Sequence, residues 1–249
     1  MTEHNVPESH PRHDSLLTRH RIEAGVEQGL TSKQGLIAEG RGEAFDYLLG
    51  EETIPSAAAA ERVAAAYLVS ADAPVLSVNG NVAALVPDEV VTLAETVDAT
   101  LEVNLFNRTP ERVSSIIKHL EAHGAANVLG ADPTAHIPGL EHDRGKVAAD
   151  GIATADVVVV PLEDGDRADA LAEAGKTEIV IDLNPLSRSA QAAAVPIIDN
   201  IIRAIPAITA AAHDLLSTSN EMCSYLIEDF DPEQARHDAE RRIRNGVSS

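Results

Sequence analysis

The sequence predicts an α/β protein in which a parallel sheet carries helices on both faces, with a helical stretch before it and a charged helix after it. Two observations carry this. Short runs such as Val157-Val-Val-Val160 and Ile179-Val-Ile181 are continuously apolar and β-branched, as strands covered on both faces must be. Between such runs lie helix-length segments with recognisable starts and stops, and strands alternating with helices imply parallel pairing.

Taken in order, residues 14–29 have helical spacing and end on Gly29, and residues 43–50 form a short helix closed by Gly50. Residues 56–71 open on serine and are rich in alanine, the strongest helix former. Pro74–Val78 is then a strand, Asp88–Val97 a helix and Thr100–Val103 a strand. Thr109-Pro110 starts another helix, threonine capping and proline filling the first turn. A loop rich in Gly, Pro, His and Asp covers 129–146. Val157–Val160, Glu178–Ile181 and Ala194–Ile198 are strands, while Asp166–Ala174 and Asn200 to about Leu216 are helices. From Asp231 onward the chain is a charged helix expected to be exposed, and Cys223 falls in or near a C-terminal helix as a small apolar residue. With no repeat and no low-complexity linker, residues 1–249 make one domain: a helical part (14–71), an α/β core (74–206) and C-terminal helices (207–249).

Composition narrows the partners. Forty acidic residues against 19 basic give a formal charge of -21, and only four of the cations are lysines. The acid is spread along the chain, so it covers a folded surface rather than forming a tail. Such a surface repels itself at ordinary salt and is relieved by molar salt, which points to a halophile's cytoplasmic protein; a merely acidic mesophilic protein is the alternative. The charge argues against nucleic acid and anionic membranes as partners. No apolar run approaches the ~18 residues of a membrane helix, and the polar start MTEHNVPESHPRHDS is no signal peptide. One cysteine excludes an internal disulfide framework.

Four polar junctions interrupt the apolar pattern. In Gly35–Gly50, Gly40 and Gly42 flank Arg41 ahead of a helix, an arrangement suited to phosphate, although a flexible loop with a surface arginine is the plain reading. Asn79-Gly80-Asn81 follows a strand directly and could offer backbone N–H groups to phosphate or carboxylate, or be an ordinary turn. Glu163, Asp164 and Asp166 follow another strand; the first two could hold Mg²⁺, and Asp166 suits a helix N-cap. The fourth is the richest: Asp182, Asn184, Arg188 and Ser189 crowd the end of a strand, and Asp199-Asn200 repeats the pattern after the next. Carboxyl ends of parallel strands are where open α/β sheets bind ligands, although two capped helices would look the same. Gly175-Lys176-Thr177 fails as a phosphate-cradling loop, because Ala170 stands where its glycine should be and the order of helix and strand is reversed. No G-x-G-x-x-G follows a strand, which weakens a nicotinamide oxidoreductase, and the ten histidines show no zinc spacing. His10 and Arg12 could meet an anion, with solvent exposure as the default.

The stretches SHPRHDSLLTRHRIEAG (from Ser9), GLIAEGRGEAFDYLLGE, SVNGNVAALVP, EVNLFNRTPERV, VVVVPLEDGDRADAL, IDLNPLSRSAQ and IIDNIIRAIP together resemble the archaeal 4-phosphopantoate–β-alanine ligase (phosphopantothenate synthetase) family, from about His10 to Pro206. The resemblance implies a Rossmann-like α/β fold, a homodimer, and ATP-dependent amide formation in coenzyme A biosynthesis through an acyl-adenylate, with AMP and diphosphate released. It also implies ATP contacts at Arg19, Arg41, Asp182, Leu183, Asn184, Arg188, Ser189, Asn200 and Ile201. Arg41 and Arg188 are then the expected catalytic cations, with Mg²⁺ on the phosphates. Asn79, Gly80, Asn81 or Arg108 are candidates for the phosphate of phosphopantoate, and Glu163 or Asp164 for the amine of β-alanine. The family's motif has histidine before Gly-Arg-Gly; this chain has Glu39. The competing expectation is a nucleotide-binding regulator that uses the same loops without releasing AMP.

Overall fold

The computed structural model describes Pro7, Ser9, His10 and residues 12–161 and 165–246. Six parallel strands form one sheet: β1 (Pro74–Val78), β2 (Thr100–Val103), β3 (Val128–Leu129), β6 (Val157–Pro161), β7 (Thr177–Ile181) and β8 (Val195–Ile197). Their spatial order is β3-β2-β1-β6-β7-β8, and β4 (Ala135–His136) pairs antiparallel with β5 (Lys146–Val147) in a separate ribbon. The chain winds outward one way from β1 and then the other way from β6. The neighbours β1 and β6, with Leu76 opposite Val159, therefore mark the point where connections leave in opposite directions. A crevice opens beyond the carboxyl ends of strands at such a point.

One face of the sheet is covered by four helices: α3 (Pro55–Ser70), α5 (Pro87–Thr96), α6 (Pro110–Ala122) and α9 (Ile201–Leu216). Their apolar sides meet Leu76, Val78, Val159, Ile179 and Ile181 in the main core. The alanines of α3 let α9 approach closely, and Ala60, Ala64 and Ala204 are fully buried. The opposite face is only partly helical. There Val75, Val158 and Val160 pack against α7 (Gly165–Glu173) and the irregular segment carrying Ile137, Leu140, Val147 and Ile152.

The remaining helices gather at the carboxyl edge and the flanks: α1 (His13–Glu27), α2 (Lys33–Leu49), α4 (Gly80–Leu85), α8 (Arg188–Ala192), α10 (Asn220–Asp229) and α11 (Pro232–Asn245). Several sequence expectations are corrected here. The segment holding Gly40 and Gly42 is not a loop leading into a helix at 43. It lies inside α2, which Ser32 starts by accepting the Gly35 N–H at 3.2 Å. The turn after β1 becomes α4, capped by Asn79, and the polar stretch after β7 closes into α8, capped by Ser187. Asp166 lies in the first turn of α7 rather than at its cap. The charged tail is docked on one side: α11 buries Ala235 and Ala239, and Arg242 Nε donates to the Leu49 carbonyl at 3.0 Å. Cys223 is buried in α10.

Candidate functional site

Helix α2 crosses the carboxyl edge of the sheet and separates two cavities. The first, of about 460 Å³, lies over the ends of β1, β2 and β7. It brings together three of the four polar junctions picked from the sequence, with Arg41, Asn79-Gly80-Asn81 and Asp182-Leu183-Asn184 all on its wall. The second, of about 530 Å³, lies between α1, α2 and the start of α9, and takes in Arg19 and Asn200.

The framework of the first cavity is built from side chains that satisfy one another. Asn79 Oδ1 accepts the N–H groups of Asn81 and Val82 at 2.9 and 3.1 Å, and its Nδ2 donates to the Pro161 carbonyl at 2.9 Å, tying β1 to β6 across the switch point. Asn81 accepts from Thr31 Oγ1 at 2.5 Å and donates to the Gly35 carbonyl and to Glu39 Oε2 at 3.1 and 3.3 Å. These two asparagines therefore position α2 and α4 while lining the cavity. Gly80 is held against the Leu30–Thr31 backbone so closely that a Cβ would overlap the Leu30 carbonyl oxygen. Asp182 Oδ1 accepts the Asn184 N–H at 2.9 Å, and Asn184 Oδ1 accepts the Leu186 N–H at 3.0 Å. Burial raises the Asp182 carboxyl, opposed by Ser187, the Asn184 N–H and the nearby charge of Arg41.

Among the described residues, the charge on this wall inverts that of the molecule: Arg41, Arg112 and Arg144 face it, against Asp182 as its carboxylate. Arg41 makes no ion pair or hydrogen bond among the described residues. Arg112 and Arg144 were not singled out in the sequence; their meaning is spatial, because nothing local distinguishes Arg112 from Arg108 four positions earlier. Arg108 points elsewhere: its Nη2 donates to the carbonyls of Gly130 and Ala131, and it does not line the cavity.

The second cavity is acidic, with six carboxylates on its wall, and each of its three arginines is engaged. Arg19 grips Glu43 through Nε and Nη2 at 2.8 and 2.7 Å, and Arg12 reaches the same carboxylate at 2.8 Å. Arg203 spans Asp46 and Asp199 at 2.6 and 2.5 Å. Asn200 caps α9 and donates Nδ2 to Asp46 at 2.8 Å, so this charge cluster fixes the start of α9. Glu61 packs beneath it; burial and the neighbouring Asp199 push its carboxyl up to about 9, against the pull of Arg203. Burial likewise lifts Glu39, in the wall between the cavities, to about 7; Asn81 opposes the rise, and Asp46 and Glu43 add to it.

Two more expected contacts, Ser189 and Ile201, are 2% and 3% exposed and line neither cavity. Arg188 is exposed and lines neither cavity; it pairs with Asp166 at 2.6 Å and Asp169 at 3.2 Å. Lys176, rejected as a phosphate ligand, donates to the carbonyls of Ala153 and Ala155 at 3.0 and 2.8 Å. Glu163 and Asp164 lie outside the described residues. Among the described residues no cluster of three or more His, Cys, Asp or Glu could hold a metal.

Residues 56–246 match the profile of the phosphopantothenate/pantothenate synthetase family. The chain belongs to that family. Among its relatives, the 4-phosphopantoate–β-alanine ligase of Thermococcus onnurineus is 53% identical over 98% of this chain and 94% of its own length. The enzyme of the same name from Methanosarcina mazei is 52% identical over 98% and 96%, and that of Methanospirillum hungatei 55% identical over 80% and 82%. Membership of the phosphopantothenate/pantothenate synthetase family agrees with a ligand crevice at the switch point of an α/β sheet.

Proposed function

We propose that this protein joins 4-phosphopantoate to β-alanine at the expense of ATP, forming 4′-phosphopantothenate, AMP and diphosphate. The observation that carries the reading, beside the family, is the cationic crevice over the ends of β1, β2 and β7 in a chain of charge -21. Both ATP and the phosphorylated acid are polyanions, and a site that binds them together must supply cations. The acid's carboxylate attacks the α-phosphorus of ATP and diphosphate leaves, so the carbonyl acquires a leaving group it lacked. The β-alanine amine then attacks that carbonyl carbon, loses a proton, and AMP departs. The chain's own work is positioning and charge neutralisation, for which Arg41, without an ion pair among the described residues, stands on the same wall as Asp182.

Arg19 and Asn200 extend the ATP contacts onto the far side of α2. The Arg19–Glu43 pair is half-exposed, and such a pair is worth only about 0–1 kcal/mol, so a phosphate can draw the arginine away. Mg²⁺ enters with the nucleotide; Asp182 fits the single-carboxylate support that phosphate-bound Mg²⁺ commonly takes. Leu36, Ile37, Tyr47 and Leu48 expose an apolar face of α2, which supports a homodimer assembled over this helix. In the decisive assay, protein in concentrated KCl is mixed with ATP, 4-phosphopantoate and β-alanine. AMP should appear in step with amide product, and omission of β-alanine should abolish the amide. ADP in place of AMP would contradict the adenylation route.

A further inference from the structure

The crevice has two cationic poles, one carried by α2 and one by α6. Arg41 sits by Asp182, at the end of β7. Arg112 sits by Gly80 and Asn107, at the ends of β1 and β2; a Cβ on Gly80 would come within 3.1 Å of its Nη2. Arg144 shares that side, its carbonyl accepting from Asn104 just beyond β2 at 3.2 Å. Strand β6 lies between β1 and β7, so the two poles stand over strands that are not neighbours.

Arg112 is an unusual arginine for this chain. Nη1 donates to the Asn107 carbonyl at 2.7 Å and Nη2 to the Leu30 carbonyl at 3.2 Å, which fixes the guanidinium plane. Nε is buried and has no hydrogen-bond partner among the described residues. Burial lowers its pKa, and no opposing charge among the described residues restores it. A purely structural staple accounts for two of its five N–H donors. It does not account for a half-buried cation left, among the described residues, without a carboxylate in a protein with twice as many acids as bases. A phosphate monoester supplies the missing counter-charge and the oxygens for the remaining donors.

We propose that Arg112, with Arg144 on the same cavity wall, clasps the phosphate of the phosphorylated acid substrate, while the Arg41 pole takes the nucleotide. The clasp rests on the ligase reading above. It anchors the acid by its phosphate and directs its carboxylate toward the α-phosphate of ATP, so it sets selectivity for the phosphorylated acid over the free hydroxy acid.

The test compares wild type with Arg112→Gln and Arg144→Gln in steady-state assays on 4-phosphopantoate and on pantoate. Loss of one charge-assisted contact should raise KM for 4-phosphopantoate about 10- to 100-fold, leave KM for ATP unchanged, and narrow the preference for the phosphorylated acid. An unchanged KM for 4-phosphopantoate, an equal loss on both acids, or a rise confined to ATP would overturn the clasp. Thermal melts in KCl check folding, and where Arg112→Gln does not fold, Arg144→Gln carries the same readouts. Titration calorimetry with inorganic phosphate separates this proposal from the ligase reading: wild type should bind it and the variants weakly or not at all, whatever the turnover. Equal phosphate binding by wild type and folded variants would refute the clasp while leaving the ligase reading intact.

Discussion

Glu39 shows how one residue's burial becomes a property of the whole protein. Its carboxyl is 8% exposed and lifted to about 7 from an ordinary 4.5. Below pH 4.5 it is protonated in both folded and unfolded chains and carries no penalty. Between 4.5 and 7 the unfolded chain ionises and the folded one does not, so stability falls as pH rises; above 7 the loss is constant, on the order of 3 kcal/mol. Glu39→Gln keeps the acceptor for Asn81 and removes the penalty. Its melting temperature should exceed wild type by roughly 5–10 °C at pH 8, with little difference at pH 4.5, by scanning calorimetry at both. Equal gains at the two values would show that burial of the charge is not the cause. At this scale the sequence was least legible. Arg41, Asp182 and Asn184 stand at the crevice where their setting beside strands and glycines placed them. Arg112 and Arg144 were invisible because their place on the wall is set only by the fold, and the pairing of Arg188 with Asp166 and Asp169 is likewise made only by folding.

At the scale of elements, α2 is the least regular piece and the one nearest both cavities. Gly35, Gly40 and Gly42 lower its helix propensity, so pattern alone reveals a helix only from residue 43. Ser32 and the docking of α2 against α1, α4 and α11 override that weakness. Gly35 is required from within, since a Cβ would strike Thr31 and Asn81; a Cβ at Gly40 would meet nothing within 4 Å among the described residues outside its own helical turn. A mid-helix glycine costs about 1 kcal/mol relative to alanine, and its benefit must come from close approach of a ligand or a second subunit. Gly40→Ala should therefore raise the melting temperature by about 2–4 °C and lower kcat/KM. A variant that is stabilised with full activity would assign Gly40 no role. The strands and the capped helix α6 were legible for the opposite reason: Val157–Pro161 and Thr177–Ile181 carry one unbroken signal, and Thr109-Pro110 matches its cap.

The whole molecule is a strongly acidic shell around an apolar α/β core, with positive charge concentrated where the strands end. Parallel topology was legible from the alternation of elements, while the order of strands, and hence the position of the switch point, was not. The charge of -21 makes self-repulsion the dominant surface term at low salt. Raising KCl from dilute buffer to about 2 M should lift the melting temperature by roughly 5–10 °C; a melting temperature independent of KCl would sink the reading of a salt-adapted surface. An acidic shell disfavours anionic substrates, so binding and chemistry are expected to centre on the cationic crevice and the arginines at its edge. AMP release in concentrated KCl from ATP, 4-phosphopantoate and β-alanine tests that account most directly. It predicts one AMP and one diphosphate per amide formed, with no amide when 4-phosphopantoate is left out. A folded protein that binds ATP and forms neither AMP nor amide from the three substrates would contradict it.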